Sequence, residues 1–150
     1  MKLYVVYFRT MQDSPEVEIK CVTTSRKLAY AKFHEAKEDE EAWNEDDGSG
    51  NWAEACIQEC IKGDGRVKPG DQVFVVTDTE WVESIETMVM PFLFKKFADM
   101  YIEVRKSQIR NLDPDIVPFD EDETFEESMH LHNPDVMSDY YFSVEPIIVQ

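Results

Sequence analysis

Apolar positions recur along the chain with two periods, and twice the period lengthens from about two to about 3.6 residues. "KLYVVYF", Lys2 to Phe8, is short and dense in β-branched and aromatic residues, which is strand composition. "EVEIKCV", Glu16 to Val22, alternates, with Val17, Ile19 and Cys21 on one face. The "QDSP" between them, Gln12 to Pro15, has turn chemistry, so the two runs predict an antiparallel hairpin. In "TSRKLAYAKFHEAKEDEEAW" the spacing becomes helical. Thr24 or Ser25 is the expected N-cap, the helix spans at least Leu28 to Lys37, and Leu28, Ala31 and Ala36 face inward. The pattern then dissolves into the acidic, glycine-containing "EDEEAWNEDDGSGN", Glu38 to Asn51.

"NWAEACIQECIKG" reads as a short helix from Asn51 to Lys62, capped by Asn51 and stopped by Gly63, because Trp52, Cys56 and Cys60 stand at four-residue spacing. A glycine-proline turn leads into a strand from Gln72 to Thr77, and "WVESIETMV" supplies its partner across a turn at Asp78 and Thr79 or at Asp78 to Glu80. "PFLFKKFADMYIEVRKSQIR" predicts a second helix that starts near Pro91, spans Phe94 to Arg105, and faces inward through Phe94, Phe97 and Tyr101. Beyond Arg110, Pro114, Pro118, Pro134 and Pro146 interrupt the chain until "YYFSVEPIIV", Tyr140 to Val149, which reads as strand returning to the body.

The expectation is one α+β domain, a mainly antiparallel sheet with two principal helices and a long acidic C-terminal excursion. Residues 1–110 form its core and 111–150 the acidic segment with its terminal strand. Strand, strand, helix occurs twice, a candidate pair of ββα units at 1–41 and 70–106. Placing Ile19 on Ile85, Leu28 on Phe94 and Ala31 on Phe97 gives an offset of 66, with a second hairpin loop about three residues shorter than the first.

A length of 150 residues with 43% hydrophobic content is enough for a packed core, so charge alone does not make the chain disordered. The net charge of -17 is unevenly placed: residues 1–34 carry +3, 35–47 carry -7, 48–110 carry -2 and 111–150 carry -11. No lysine or arginine follows Arg110, whereas eleven carboxylates do. Such a surface repels nucleic acid and anionic membrane as direct partners. No apolar run approaches the roughly 18 to 20 residues of a membrane span, and the three cysteines fit a reducing compartment, so an intracellular, cytoplasmic location is expected.

Candidate chemistry changes this picture little. His130 and His132 fall on one face of an extended strand, and with Glu127, Asp135 or Asp139 they form the one candidate metal set. Cys56 and Cys60 lack the spacing and the additional ligands of a zinc or redox site and read as core residues. No calcium-loop, phosphate-loop or nucleophile-elbow pattern occurs, no catalytic residue can be singled out, and no cofactor is expected.

The block "DEDETFEE" is different. Asp120, Glu121, Asp122, Glu123, Glu126 and Glu127 place six carboxylates in eight residues around Phe125. Extended, it spans roughly 26 Å, one charge per about 4.4 Å against about 3.4 Å per phosphate along a DNA strand. With Phe125 as an apolar anchor, it fits a groove built for a nucleic-acid backbone. The expected function is a non-catalytic acidic protein that docks on a basic, nucleic-acid-handling protein and inhibits or regulates it. In charge and size it resembles, as a class only, the DNA-mimic inhibitors that viruses direct against host nucleases. Two alternatives stand beside it: a metal-dependent enzyme using His130 and His132, and an acidic adaptor or structural subunit whose charge confers solubility.

Overall fold

Each half of the chain folds in the same order: strand, strand, helix, strand. In the computed structural model, which describes residues 2–11, 15–44, 52–61, 66–81, 85–112 and 139–150, the first half is β1 (Lys2–Met11), β2 (Pro15–Thr23), α1 (Arg26–Asn44) and β3 (Trp52–Ile61). The second is β4 (Gln72–Trp81), β5 (Ile85–Phe92), α2 (Lys95–Leu112) and β6 (Asp139–Ile148). Both make a three-stranded antiparallel sheet with the first strand in the centre, in the orders β2-β1-β3 and β5-β4-β6. The architecture is α+β.

The two sheets face one another. Odd-numbered residues of the central strands point between them, so Leu3, Val5 and Tyr7 meet Val73 and Val75, joined by Val22, Val67, Val89 and Val149. Each aliphatic side chain fully buried here stabilises the fold by about 1.5–3 kcal/mol relative to exposure. Even-numbered residues point outward to the helices: Tyr4 and Val6 pack with Cys21 and Ala29 of α1, and Phe8 packs with Ala36, Ala53 and Ala55.

Side chains close the two seams where sheet edges approach. At one, Gln58 Oε1 accepts from Val89 N–H at 3.3 Å, and Arg9 donates to the Ile85 carbonyl at 3.0 Å. At the other, Gln150 N–H donates to the Val22 carbonyl at 2.8 Å and Thr23 Oγ1 to the Gln150 carbonyl at 2.7 Å. These bonds consume backbone groups that an edge strand would otherwise offer to another chain.

Four expectations change. Residues 52–61 form a strand, not a helix, pairing with β1 over its full length. A four-residue spacing is also a multiple of two, so Trp52, Cys56 and Cys60 share a strand face, while Ala53 and Ala55 alternate toward α1. Asp78 and Thr79 are buried strand residues rather than a turn, and β4 runs on to Trp81. Pro91 lies in β5 and α2 begins at Lys95. Finally, the inward residues of the helices are Ala29 and Ala36 in α1 and Ala98 and Ile109 in α2; Ala31 is exposed, as are Phe94 (58%) and Phe97 (45%). Small residues let each helix backbone approach its sheet, which turns the large neighbours aside. Leu28 and Tyr101 remain half-buried.

The registers of the two halves correspond at an offset of 70 through the hairpins, not the expected 66: Met11 corresponds to Trp81 and Pro15 to Ile85, and three residues separate the paired strands in each half, so the second connection is not the shorter. The first half alone carries a bulge: Val6 pairs with Cys21 and Tyr7 with Ile19, leaving Lys20 unpaired, so Cys21 turns to the helix side and does not share the expected face with Val17 and Ile19. That extra residue reduces the offset to 69 in the helices, where Ala29 corresponds to Ala98, both fully buried.

Candidate functional site

The outer face of the first hairpin carries a groove of about 300 Å³ lined by Phe8, Thr10, Glu16, Val17, Glu18 and Trp43. Strand pairing assembles most of it. Phe8 stands opposite Glu18 and Thr10 opposite Glu16, and cross-strand partners share a face. Phe8 is buried against Ala36 and Ala53, whereas both glutamates are exposed. The floor is therefore aromatic and the rim acidic.

Trp43 comes from the last turn of α1, and the sequence fixes that helix at both ends. Ser25 Oγ accepts from Leu28 N–H at 3.2 Å, an N-cap. At the far end, the Asn44 side chain donates to the Ala53 carbonyl and accepts from Ala53 N–H, both at 3.1 Å, and Glu40 accepts from Ala55 N–H at 3.2 Å. These bonds satisfy the outer edge of β3 and hold Trp43 over the groove. Burial raises the Glu40 carboxyl, but its bonds from Lys37 (2.8 Å) and Ala55 outweigh that and hold it below the ordinary carboxylate value.

A cation of the chain itself already visits the groove. The bulge aims Lys20 at the aromatic floor, with its ammonium 5.5 Å from the Phe8 ring centroid and 3.0 Å from the Glu18 carboxylate. Between the sheets, one residue further along β1, the same chemistry is complete: the Arg9 guanidinium stands 5.1 Å over Trp52 and donates to Glu54 Oε2 from Nε at 3.0 Å and Nη2 at 2.6 Å.

The second half buries a different polar group. Asp78, 3% exposed, accepts from Tyr101 Oη at 2.9 Å and from Arg105 Nε at 2.8 Å. Burial first, and then that bond to Asp78, push the Tyr101 hydroxyl up to about 12. This cluster pins α2 to β4.

Cys56 and Cys60 lie on the face of β3 turned toward the second sheet, and neither is in a disulfide. Burial, reinforced by the Glu54 carboxylate, raises the Cys56 thiol, and burial raises that of Cys21, so neither is activated as a thiolate. Among the described residues, no group of three or more His, Cys, Asp or Glu side chains is placed to hold a metal ion.

Asp120, Glu121, Asp122, Glu123, Phe125, Glu126 and Glu127, and likewise His130, His132 and Asp135, lie outside the described residues. Their flanks are described. α2 ends at Leu112, and β6, from Asp139, pairs with β4, so 113–138 connect two elements of the same half. The groove residues went unselected in the sequence. The available signals were the alternation of Glu16 and Glu18 with Val17 and Ile19, and a lone tryptophan in a charged helix end.

No known protein family, curated protein or solved structure matches the chain. No helix among the described residues is long and apolar enough to cross a membrane.

Proposed function

We propose that the chain is a non-catalytic binding protein that docks its carboxylates on a basic, nucleic-acid-handling protein and inhibits or regulates it. The observation that carries this reading is the segregation of charge: eleven carboxylates and no basic residue after Arg110, in a chain of net charge -17. Like charges kept together cost self-repulsion that interspersed lysines would relieve, and a complementary basic surface offsets that cost. The acidic, aromatic-floored groove on the first half supports the same partner chemistry. Nine of the eleven carboxylates fall in 113–138, with Asp120, Glu121, Asp122, Glu123, Glu126 and Glu127 at their centre and Phe125 as anchor. The proposed setting is intracellular, in keeping with three cysteines that form no disulfide. Inhibition by mimicry of a nucleic-acid backbone, as viral antagonists of host defence use it, is the mode the charge spacing favours.

The test is affinity capture from a lysate with the whole chain as bait, followed by elution with either salt or duplex DNA. The reading expects basic, nucleic-acid-binding proteins released by both. Partners that withstand moderate salt and are not displaced by DNA would instead mark an adaptor held by apolar contact. Turnover of a substrate that requires His130 and His132 would replace the binding reading with a metal-dependent enzyme.

A further inference from the structure

We infer that the groove between the β1–β2 hairpin and Trp43 is a receptor for a single arginine side chain presented by the basic partner. This rests on the docking reading above and names the side chain that the first half of the molecule recognises.

Three features of the groove point to a cation with an apolar, planar body. Its floor is the ring of Phe8, its wall is Trp43, and its rim is Glu16 and Glu18. At about 300 Å³ and open to one side, it lies at the small end of ligand sites and suits one long side chain rather than a cofactor. The ammonium of Lys20, resting on Phe8 and Glu18, demonstrates that the floor accepts a positive charge.

Arginine is favoured over lysine because the molecule already builds an arginine site from the same parts. Arg9 lies over Trp52 with Glu54 as its carboxylate partner. On the outer face of the same hairpin, Trp43, Phe8, Glu16 and Glu18 repeat the ring-and-carboxylate set with no guanidinium among them. A guanidinium is flat, weakly hydrated and able to stack and donate in one plane, whereas an ammonium is a compact and strongly hydrated charge. An incoming arginine displaces Lys20 from Glu18, and Lys20 becomes an internal competitor that sets a threshold for binding. The bulge that aims it there has no counterpart in the β4–β5 hairpin, whose register is unbroken.

The experiment is a titration of the full chain, followed by the indole N–H resonance of Trp43, assigned with a Trp43→Phe variant. The probes are N-acetyl-arginine amide, its lysine counterpart, and the neutral isostere N-acetyl-citrulline amide. Saturable shifts of the Trp43 resonance are expected with the arginine probe, several-fold weaker binding with lysine and none with citrulline. Lys20→Gln should tighten arginine binding, and joint Glu16→Gln and Glu18→Gln should weaken it by about tenfold or more, as loss of a charge partner does. Neutralising the six carboxylates from Asp120 to Glu127 should leave this binding unchanged, which separates failure of the groove from failure of the docking reading. Equal responses to arginine and citrulline, or weaker binding in Lys20→Gln, would overturn the inference. So would shifts confined to the Trp52 indole.

Discussion

The two halves share element order, strand order and hairpin length, yet they fasten their helices differently. In the first half Phe8 packs under Ala36 in an apolar contact. At an offset of 70 in the strand and 69 in the helix, Asp78 and Arg105 occupy the same positions and form an ion pair. Ser25 caps α1, while the corresponding Phe94 caps nothing and is exposed. The connectors differ most: seven residues (45–51) join α1 to β3, and 26 (113–138) join α2 to β6. One topology thus tolerates two chemistries at its helix-sheet contact, because what the sheet requires is a small helix residue at closest approach, Ala29 or Ala98, and a satisfied partner beside it. The half with the longer connector carries the acid block; the half with the short one carries the groove.

The sharpest way to break this comparison is to remove the fastening in each half. Phe8→Ala should cost about 3–5 kcal/mol in denaturant unfolding, since it leaves a cavity under α1. Asp78→Ala should cost less, about 2–3 kcal/mol, because the Arg105 it strands is partly exposed and recovers some solvation. If the positions are interchangeable, the double variant Asp78→Phe with Arg105→Ala should fall within about 1 kcal/mol of the parent. A double variant less stable than Asp78→Ala alone would mean that the ion pair is required for more than fastening.

The helix caps sharpen the same contrast at smaller scale. Ser25→Ala should destabilise by about 1 kcal/mol, and Phe94→Ser should stabilise by up to about the same amount by supplying the cap that α2 lacks. Equal and negligible shifts in both melting curves would show that the ends of the helices are held by tertiary contact alone.

The smallest expected effect is electrostatic. Glu40 has its folded pKa below its unfolded one, so its stabilising contribution is present above the unfolded carboxylate value of about 4.5 and is lost as pH falls through the folded value. Glu40→Gln should therefore lower stability slightly at neutral pH and converge on the parent in acid. A difference that grows as pH falls would contradict the assigned ion pair with Lys37.

Much of the fold was legible because periodicity reports burial directly: the β1–β2 hairpin, β4, both long helices and the final strand all follow from apolar spacing. Where spacing is ambiguous, tertiary pairing decides. A repeat of four fits helix and strand alike, so spacing alone does not distinguish β3 from a helix, and the turn signal at Asp78 is overridden by Arg105, 27 residues away, which neutralises it. Helix facing failed for a related reason, since pattern rewards large residues such as Phe97 while the sheet selected Ala98. The groove was invisible in sequence because its walls come from three elements whose register only folding sets.

The most direct test of the docking claim is the salt dependence of affinity for a captured basic partner, measured for the parent and for the variant with Asp120→Asn, Glu121→Gln, Asp122→Asn, Glu123→Gln, Glu126→Gln and Glu127→Gln. A backbone-mimicking interface predicts that the variant folds normally, binds weaker by orders of magnitude at low salt, and shows a much flatter slope of log affinity against log salt. Equal affinity and equal slope at low and moderate salt would contradict it and leave the carboxylates as a solvated surface.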